Sequence, residues 1–208
     1  LEVDDRAGGQ LGAGGGAGTS TLAAALARTM ARHHHVTLID ADGYSGGLDL
    51  LLGLEDTPGA RWPDLRLGEG TVAGADLRAA LPTTPDGIAV LSAARSTLAD
   101  PFRLGPEHMG PVLEALSGSP GITVVDLPAH SPVLETVTGT CDRLVLLIPA
   151  EVRTAAAAAG LVADLSRHRT TVTGIARHRG WSGLTTEDLA RITRCQISGE
   201  LGHLSRLP

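Results

Sequence analysis

The chain has 208 residues, a formal net charge of -6, 42% apolar residues and only 2% aromatics, so it can bury a real core made of Ala, Leu, Val and Ile. That balance argues against a nucleic-acid binder built on basic patches and stacked bases. No apolar run reaches the length of a membrane span and no signal peptide opens the sequence, so a cytoplasmic protein is expected. Cys141 and Cys195 stand far apart, with neither disulfide-framework nor zinc spacing, which agrees with a reducing compartment. All seventeen basic residues are Arg; there is no Lys.

In chain order, residues 1–11 read as an irregular segment. Leu1-Glu2-Val3 is too short for a buried strand, and Asp4 to Gly16 is glycine-rich loop chemistry. A single domain is expected over residues 12–208. From Thr19 the pattern changes: Leu22, Leu26 and Met30 recur at four-residue spacing, predicting a helix with an apolar stripe, capped by Thr19, Ser20 or Thr21. Val36 to Ile39 is a short β-branched strand, and Leu48 to Leu54 a short helix or turn. Ile88–Leu91, Ile122–Val125, Leu144–Ile148 and Thr171–Ile175 follow as strands. Glu107–Leu116, Thr154–Leu165 and Thr185–Ile192 are the helices between and after them. Alternating buried strands and helices predict an α/β fold, a doubly wound, mostly parallel sheet in three α/β/α layers.

Gly14-Gly15-Gly16-Ala17-Gly18-Thr19-Ser20-Thr21 sits directly before the first helix. It reads either as a flexible linker into a capped helix or as an anion cradle of inward-turned backbone N–H groups at a helix N-terminus. In a P-loop, Lys and then Ser/Thr follow the last Gly. Ser20 is the hydroxyl here, but Thr19 takes the lysine position. Asp40-Ala41-Asp42 falls at the carboxyl end of one predicted strand and Asp126 at the end of another, where open α/β sheets bind ligands. Hard carboxylate oxygens beside a glycine loop suit Mg²⁺ and a nucleotide, with Ser20, Asp40 and Asp126 around the metal.

Gly15 to Leu22 resembles the deviant Walker A motif of the MinD/ParA ATPases, Lys-Gly-Gly-x-Gly-Lys-Thr-Thr. The resemblance continues through Leu38 to Asp42 and Gly47 to Glu55, the latter like the MinD branch. Val125-Asp126-Leu127-Pro128-Ala129 is similar to the switch II segment, Pro149-Ala150-Glu151-Val152 to the Asn-Pro-Glu-Val turn, and Ile197 to Leu201 to the last strand. The lysine-less loop, together with Arg61-Trp62-Pro63-Asp64-Leu65, looks most like the CpaE-like, septum-site-determining subgroup related to TadZ.

The resemblance implies ATP or ADP with Mg²⁺ held by Gly15, Gly16, Ala17, Gly18, Thr19, Ser20 and Thr21, and Asp42 as the residue that orients the attacking water. It also implies protein partners in the division or pilus-secretion machinery, a homodimer, and recruitment to the inner face of the membrane through partners. Both family lysines are replaced, by Gly14 and Thr19, so hydrolysis is expected to be weak or lost. His178-Arg179-Gly180 stands near the family's base-contacting Asn, Gly202 replaces the final-strand Pro, Asp4 to Leu11 replaces the first strand, and the sequence stops before the family's last helix.

Two other readings compete. A slow Mg²⁺-dependent ATPase would use backbone amides and an Arg in place of the lysines. Gly43-Tyr44-Ser45-Gly46-Gly47 matches the Gly-x-Ser-x-Gly elbow of serine hydrolases, with Asp126 and His130 or His203 as partners, although Asp40-Ala41-Asp42 intervenes between strand and Ser45. His33-His34-His35 falls at a helix–strand junction and reads as solvated. Arg153 either pairs with Asp126 or faces solvent.

Overall fold

Strands that are apolar at nearly every position need cover on both faces. The computed structural model describes residues 8–12, 16–43, 46–66, 72–93, 102–168 and 170–202. In it seven parallel strands form one sheet: β1 Gly8–Gly12, β2 Val36–Asp40, β3 Ile88–Leu91, β4 Ile122–Pro128, β5 Arg143–Pro149, β6 Thr171–Arg177 and β7 Ile197–Leu201, in the order β3-β2-β4-β1-β5-β6-β7. Seven helices accompany them: α1 Thr19–Met30, α2 Leu48–Leu52, α3 Gly74–Ala80, α4 Pro106–Ser117, α5 Leu134–Thr140, α6 Val152–Leu165 and α7 Thr186–Thr193. The α/β class and parallel, doubly wound sheet are those the sequence predicts.

The two faces separate by strand alternation. Leu38, Val90 and Val124 join one apolar cluster with Ala23, Ala24 and Ala27 of α1. Their neighbours Ile39, Leu91 and Val125 join the other, with Met109 and Val112 of α4 and Ala155 and Ala158 of α6. The buried face of α1 is thus its alanines. Leu22, Leu26 and Met30, the predicted stripe, are only half-buried. Small side chains let α1 lie close on the sheet, so the core face falls one position C-terminal to the leucine spacing.

Residues 1–11 are not wholly irregular, which corrects the expectation from composition. Gly8–Gly12 pairs with β4 on one side (Gly9↔Val125) and β5 on the other (Gly9↔Leu144). It is the middle strand of the sheet, identified by its ladders, because its glycines carry no hydrophobic signal. Helices α3 and α5 and strands β1 and β7 are the elements that apolar periodicity does not announce, β7 being expected from the family resemblance alone.

The turn into β4 depends on one glycine. Gly121 has φ +133°, and a Cβ there would stand 2.7 Å from the His35 carbonyl oxygen, which already accepts the Ile122 N–H. Gly121→Ala is expected to cost about 2 kcal/mol through backbone strain. Urea unfolding measures it, and an unchanged midpoint would show that the turn can shift.

Candidate functional site

At the carboxyl edge of the sheet, β2 ends in Asp40 and β4 passes through Asp126, which are register partners. Both are buried, 2% and 4% exposed. Each carboxyl is therefore out of water beside another negative group. Asp40 is raised to about 6, first by burial and then by the charges of Asp126 and Asp42. Two backbone N–H donors oppose the rise. They are Asp42 N–H to Oδ1 and Leu48 N–H to Oδ2, both at 3.0 Å. Asp126 is also raised, chiefly by burial and further by Asp42, against a hydrogen bond from the Ser20 side chain. Ser20, Asp40, Asp42 and Asp126 are thus brought together.

Ser20 reaches Asp126 from the first turn of α1, whose entry is set by Gly18. That residue is left-handed (φ +94°, ψ +23°) and takes the N-cap position with no side-chain cap. Its carbonyl accepts the Leu22 N–H at 2.9 Å. The expected capping by Thr19, Ser20 or Thr21 is corrected: these residues lie inside the helix, leaving the Ser20 hydroxyl available to Asp126. Ala17 is buried, and Gly16 and Gly18 both have positive φ, a turn that directs backbone toward the helix N-terminus. Gly14 and Gly15 lie outside the described residues.

Behind Asp40, two side chains shape the edge. The Trp62 indole Nε1–H donates to the Asp40 carbonyl at 2.8 Å. The Arg61 guanidinium is buried and donates to the carbonyls of Leu54, Thr57 and Gly59 at 3.0, 3.3 and 3.0 Å, with Asp49 at 3.8 Å. Sequence motifs flagged the Arg-Trp pair only as a resemblance; nothing in their spacing announces a bond to Asp40.

Across the edge, Arg179 follows β6 and its Nη2 donates to the Gly16 carbonyl at 2.7 Å. This contact is the main feature sequence reading missed, because the partners are far apart in the chain. Arg153 and His130 are exposed. Ser45 and His203 lie outside the described residues, and Asp126 is engaged by Ser20, so the described residues do not assemble a hydrolytic triad. His33 and His35 are exposed in the α1–β2 junction. Among the described residues no three His, Cys, Asp or Glu groups gather closely enough to cage a metal. The donor set still fits Mg²⁺, which binds through one or two carboxylates with waters and phosphate oxygens. Two buried carboxylates in register, both raised, are a pair that a divalent cation would relieve.

No protein-family model matches the chain. It is similar to an uncharacterized protein of Mycobacterium tuberculosis, 36% identical over 95% of this chain and 54% of that one. It is also similar to an uncharacterized ATP-binding protein of Methanocaldococcus jannaschii, 28% identical over 77% of this chain and 59% of that one. The chain thus spans little more than half the length of either relative. The solved cell division ATPase MinD of Pyrococcus furiosus superposes with a TM-score of 0.79 at 18% identity, covering 96% of this chain and 84% of that one. The fold is that of the MinD and ParA ATPases. The septum site-determining protein MinD of Pyrococcus horikoshii, complexed with Mg-ADP, superposes with a TM-score of 0.73 at 16% identity, over 95% of this chain and 81% of that one. Among the described residues no helix of this MinD-like fold is long and apolar enough to cross a membrane.

Proposed function

We propose that the chain is a MinD-like nucleotide-binding protein of the CpaE-like, TadZ-related subgroup, acting as a localisation or assembly factor for septum placement or Flp-type pilus secretion. The observation that carries this reading is the joining of Ser20, Asp40 and Asp126 beside the left-handed Gly18 turn, at the strand ends where such folds bind ligands. Residues 15–21 would hold the phosphates of ATP or ADP. Ser20, with Asp40 and Asp126 through water, would hold Mg²⁺, which when bound screens phosphate charge. Asp42, half-buried at the mouth, is the position for orienting water.

Thr19 brings no charge to the phosphates, so hydrolysis is weak or lost and the switch works mainly by occupancy. Leu50 and Leu51 of α2 are about half exposed, at 48% and 49%, which supports a role in contacting protein partners. A homodimer and recruitment to the inner membrane face through those partners belong to the same reading.

Titration of a fluorescent ATP analogue tests it. Saturation at submillimolar nucleotide that requires Mg²⁺ is expected. Ser20→Ala is expected to weaken the Mg²⁺-dependent binding by about tenfold, the worth of one charge-assisted contact. Absence of saturation up to millimolar nucleotide would leave a scaffold without ligand. Phosphate release that Asp42→Ala abolishes would identify a slow ATPase instead.

A further inference from the structure

We propose that Arg179 supplies to a bound nucleoside diphosphate the positive charge that the glycine loop lacks. This rests on the nucleotide-binding reading above and assigns it a residue. With Thr19 at the position after Gly18, residues 16–21 contain only neutral side chains, and a diphosphate brings several negative charges that backbone amides meet with partial charges alone.

Among the described residues, one cation is hydrogen-bonded to that loop: Arg179, through Nη2 to the Gly16 carbonyl at 2.7 Å. It arrives at the same carboxyl edge of the sheet, on the stretch that follows β6, two strands along from β1. Its backbone is fixed there by an N–H bond to Ser182 Oγ at 2.7 Å. The guanidinium lies 5.7 Å from the Trp181 ring centroid, and Trp181 is 66% exposed. Its charged neighbour is Glu151, whose Oε1 forms an ion pair with Nη1 at 3.7 Å, longer than a hydrogen bond. The Glu151 Oε1 atom is buried with no hydrogen-bond partner.

These contacts describe a guanidinium held at the loop by one hydrogen bond to a neutral carbonyl and by an ion pair with Glu151. Of its five N–H donors, one makes a hydrogen bond among the described residues, and that bond ends on a neutral carbonyl. A phosphate oxygen is the stronger acceptor, and the planar fork matches it with two parallel bonds. Exchange of the Gly16 carbonyl for phosphate therefore gains interaction, while Trp181 remains beside the guanidinium and Glu151 limits how far it swings. The cation thus enters from the β6–α7 connection, whereas a P-loop lysine would come from within the loop.

The test is calorimetric titration of the purified chain with Mg-ADP and, separately, with adenosine, comparing wild type, Arg179→Ala, Arg179→Gln and Arg179→Lys. The thermal unfolding midpoint of each variant is checked first, and Arg179→Gln serves if Arg179→Ala does not fold. The expected result is a loss of about tenfold or more in ADP affinity for Ala and Gln, the scale of a charged hydrogen bond. Adenosine affinity changes by less than about twofold and Arg179→Lys recovers part of the ADP loss, as for a single point charge. Equal losses for ADP and adenosine, or no loss for either, overturn the proposal while leaving nucleotide binding intact. Failure of the wild-type chain to bind ADP overturns the nucleotide-binding reading itself and this assignment with it.

Discussion

Replacing Trp62 with Ala is expected to lower stability by about 4 kcal/mol. The side chain is 2% exposed, and truncating a buried aromatic to Ala costs roughly 3–5 kcal/mol in lost contacts and cavity. It sits in the larger apolar cluster with Ile39, Leu91 and Val125, and its own N–H donates to the Ser92 carbonyl at 3.1 Å. The indole also satisfies the Asp40 carbonyl, so its removal leaves a buried acceptor. Trp62→Phe separates the two effects: it keeps most of the ring and removes the donor, at a cost of about 1–2 kcal/mol. Urea unfolding of both variants measures the costs. A Phe variant as stable as wild type would mean that the carbonyl had found another donor. On the function proposed above, loss of the bond that holds the Asp40 carbonyl is expected to weaken Mg²⁺-dependent nucleotide binding in both variants as well.

Asp40→Asn is expected to gain about 3 kcal/mol of stability relative to the wild type when the ligand-free proteins are moved from pH 3 to pH 7. The folded-state value of Asp40 is about 6 against an ordinary 3.8. A raised acid binds its proton more tightly in the folded state. Its contribution is therefore fully present below about pH 4 and is lost as pH rises through about 6. A shift of about two pKa units at about 1.4 kcal/mol each gives that figure. Asn holds no titratable proton, so its stability lacks this loss. It does forgo one acceptor, because Asp40 receives N–H bonds on both oxygens, and this offset is the same at every pH. Denaturant unfolding of both proteins across that range decides the matter. A pH-independent difference between them would show that Asp40 titrates normally.

The sequence made the sheet legible where the strands are apolar and β-branched. Val36–Thr37–Leu38–Ile39 and Ile122–Thr123–Val124–Val125 announce themselves, and their terminal aspartates mark the edge that matters. Gly8–Gly12 does not, because its strand character comes entirely from neighbours on either side. The buried face of α1 differs from its leucine spacing for a related reason: close approach to a sheet is decided by small side chains, here Ala23, Ala24 and Ala27. Ser20, Asp40 and Asp126 were legible as residue types at strand and helix ends. Their mutual contacts needed the parallel register of β2 and β4. The bonds from Trp62 to Asp40 and from Arg179 to Gly16 were beyond reading, since each joins segments with no common local pattern.

The central position of β1 also orders events in time. Gly8–Gly12 is synthesised ahead of every other described element, yet its ladders run to Val124–Pro128 and Arg143–Leu147. Until the ribosome has released that distant stretch, the segment has nothing to pair with, and the glycine turn that follows it is tethered at one end only. Contacts of such long sequence separation form slowly. The Gly16–Gly18 turn is therefore among the later parts of the molecule to be held in place, and a nascent or truncated chain ending before β4 has no partner for β1.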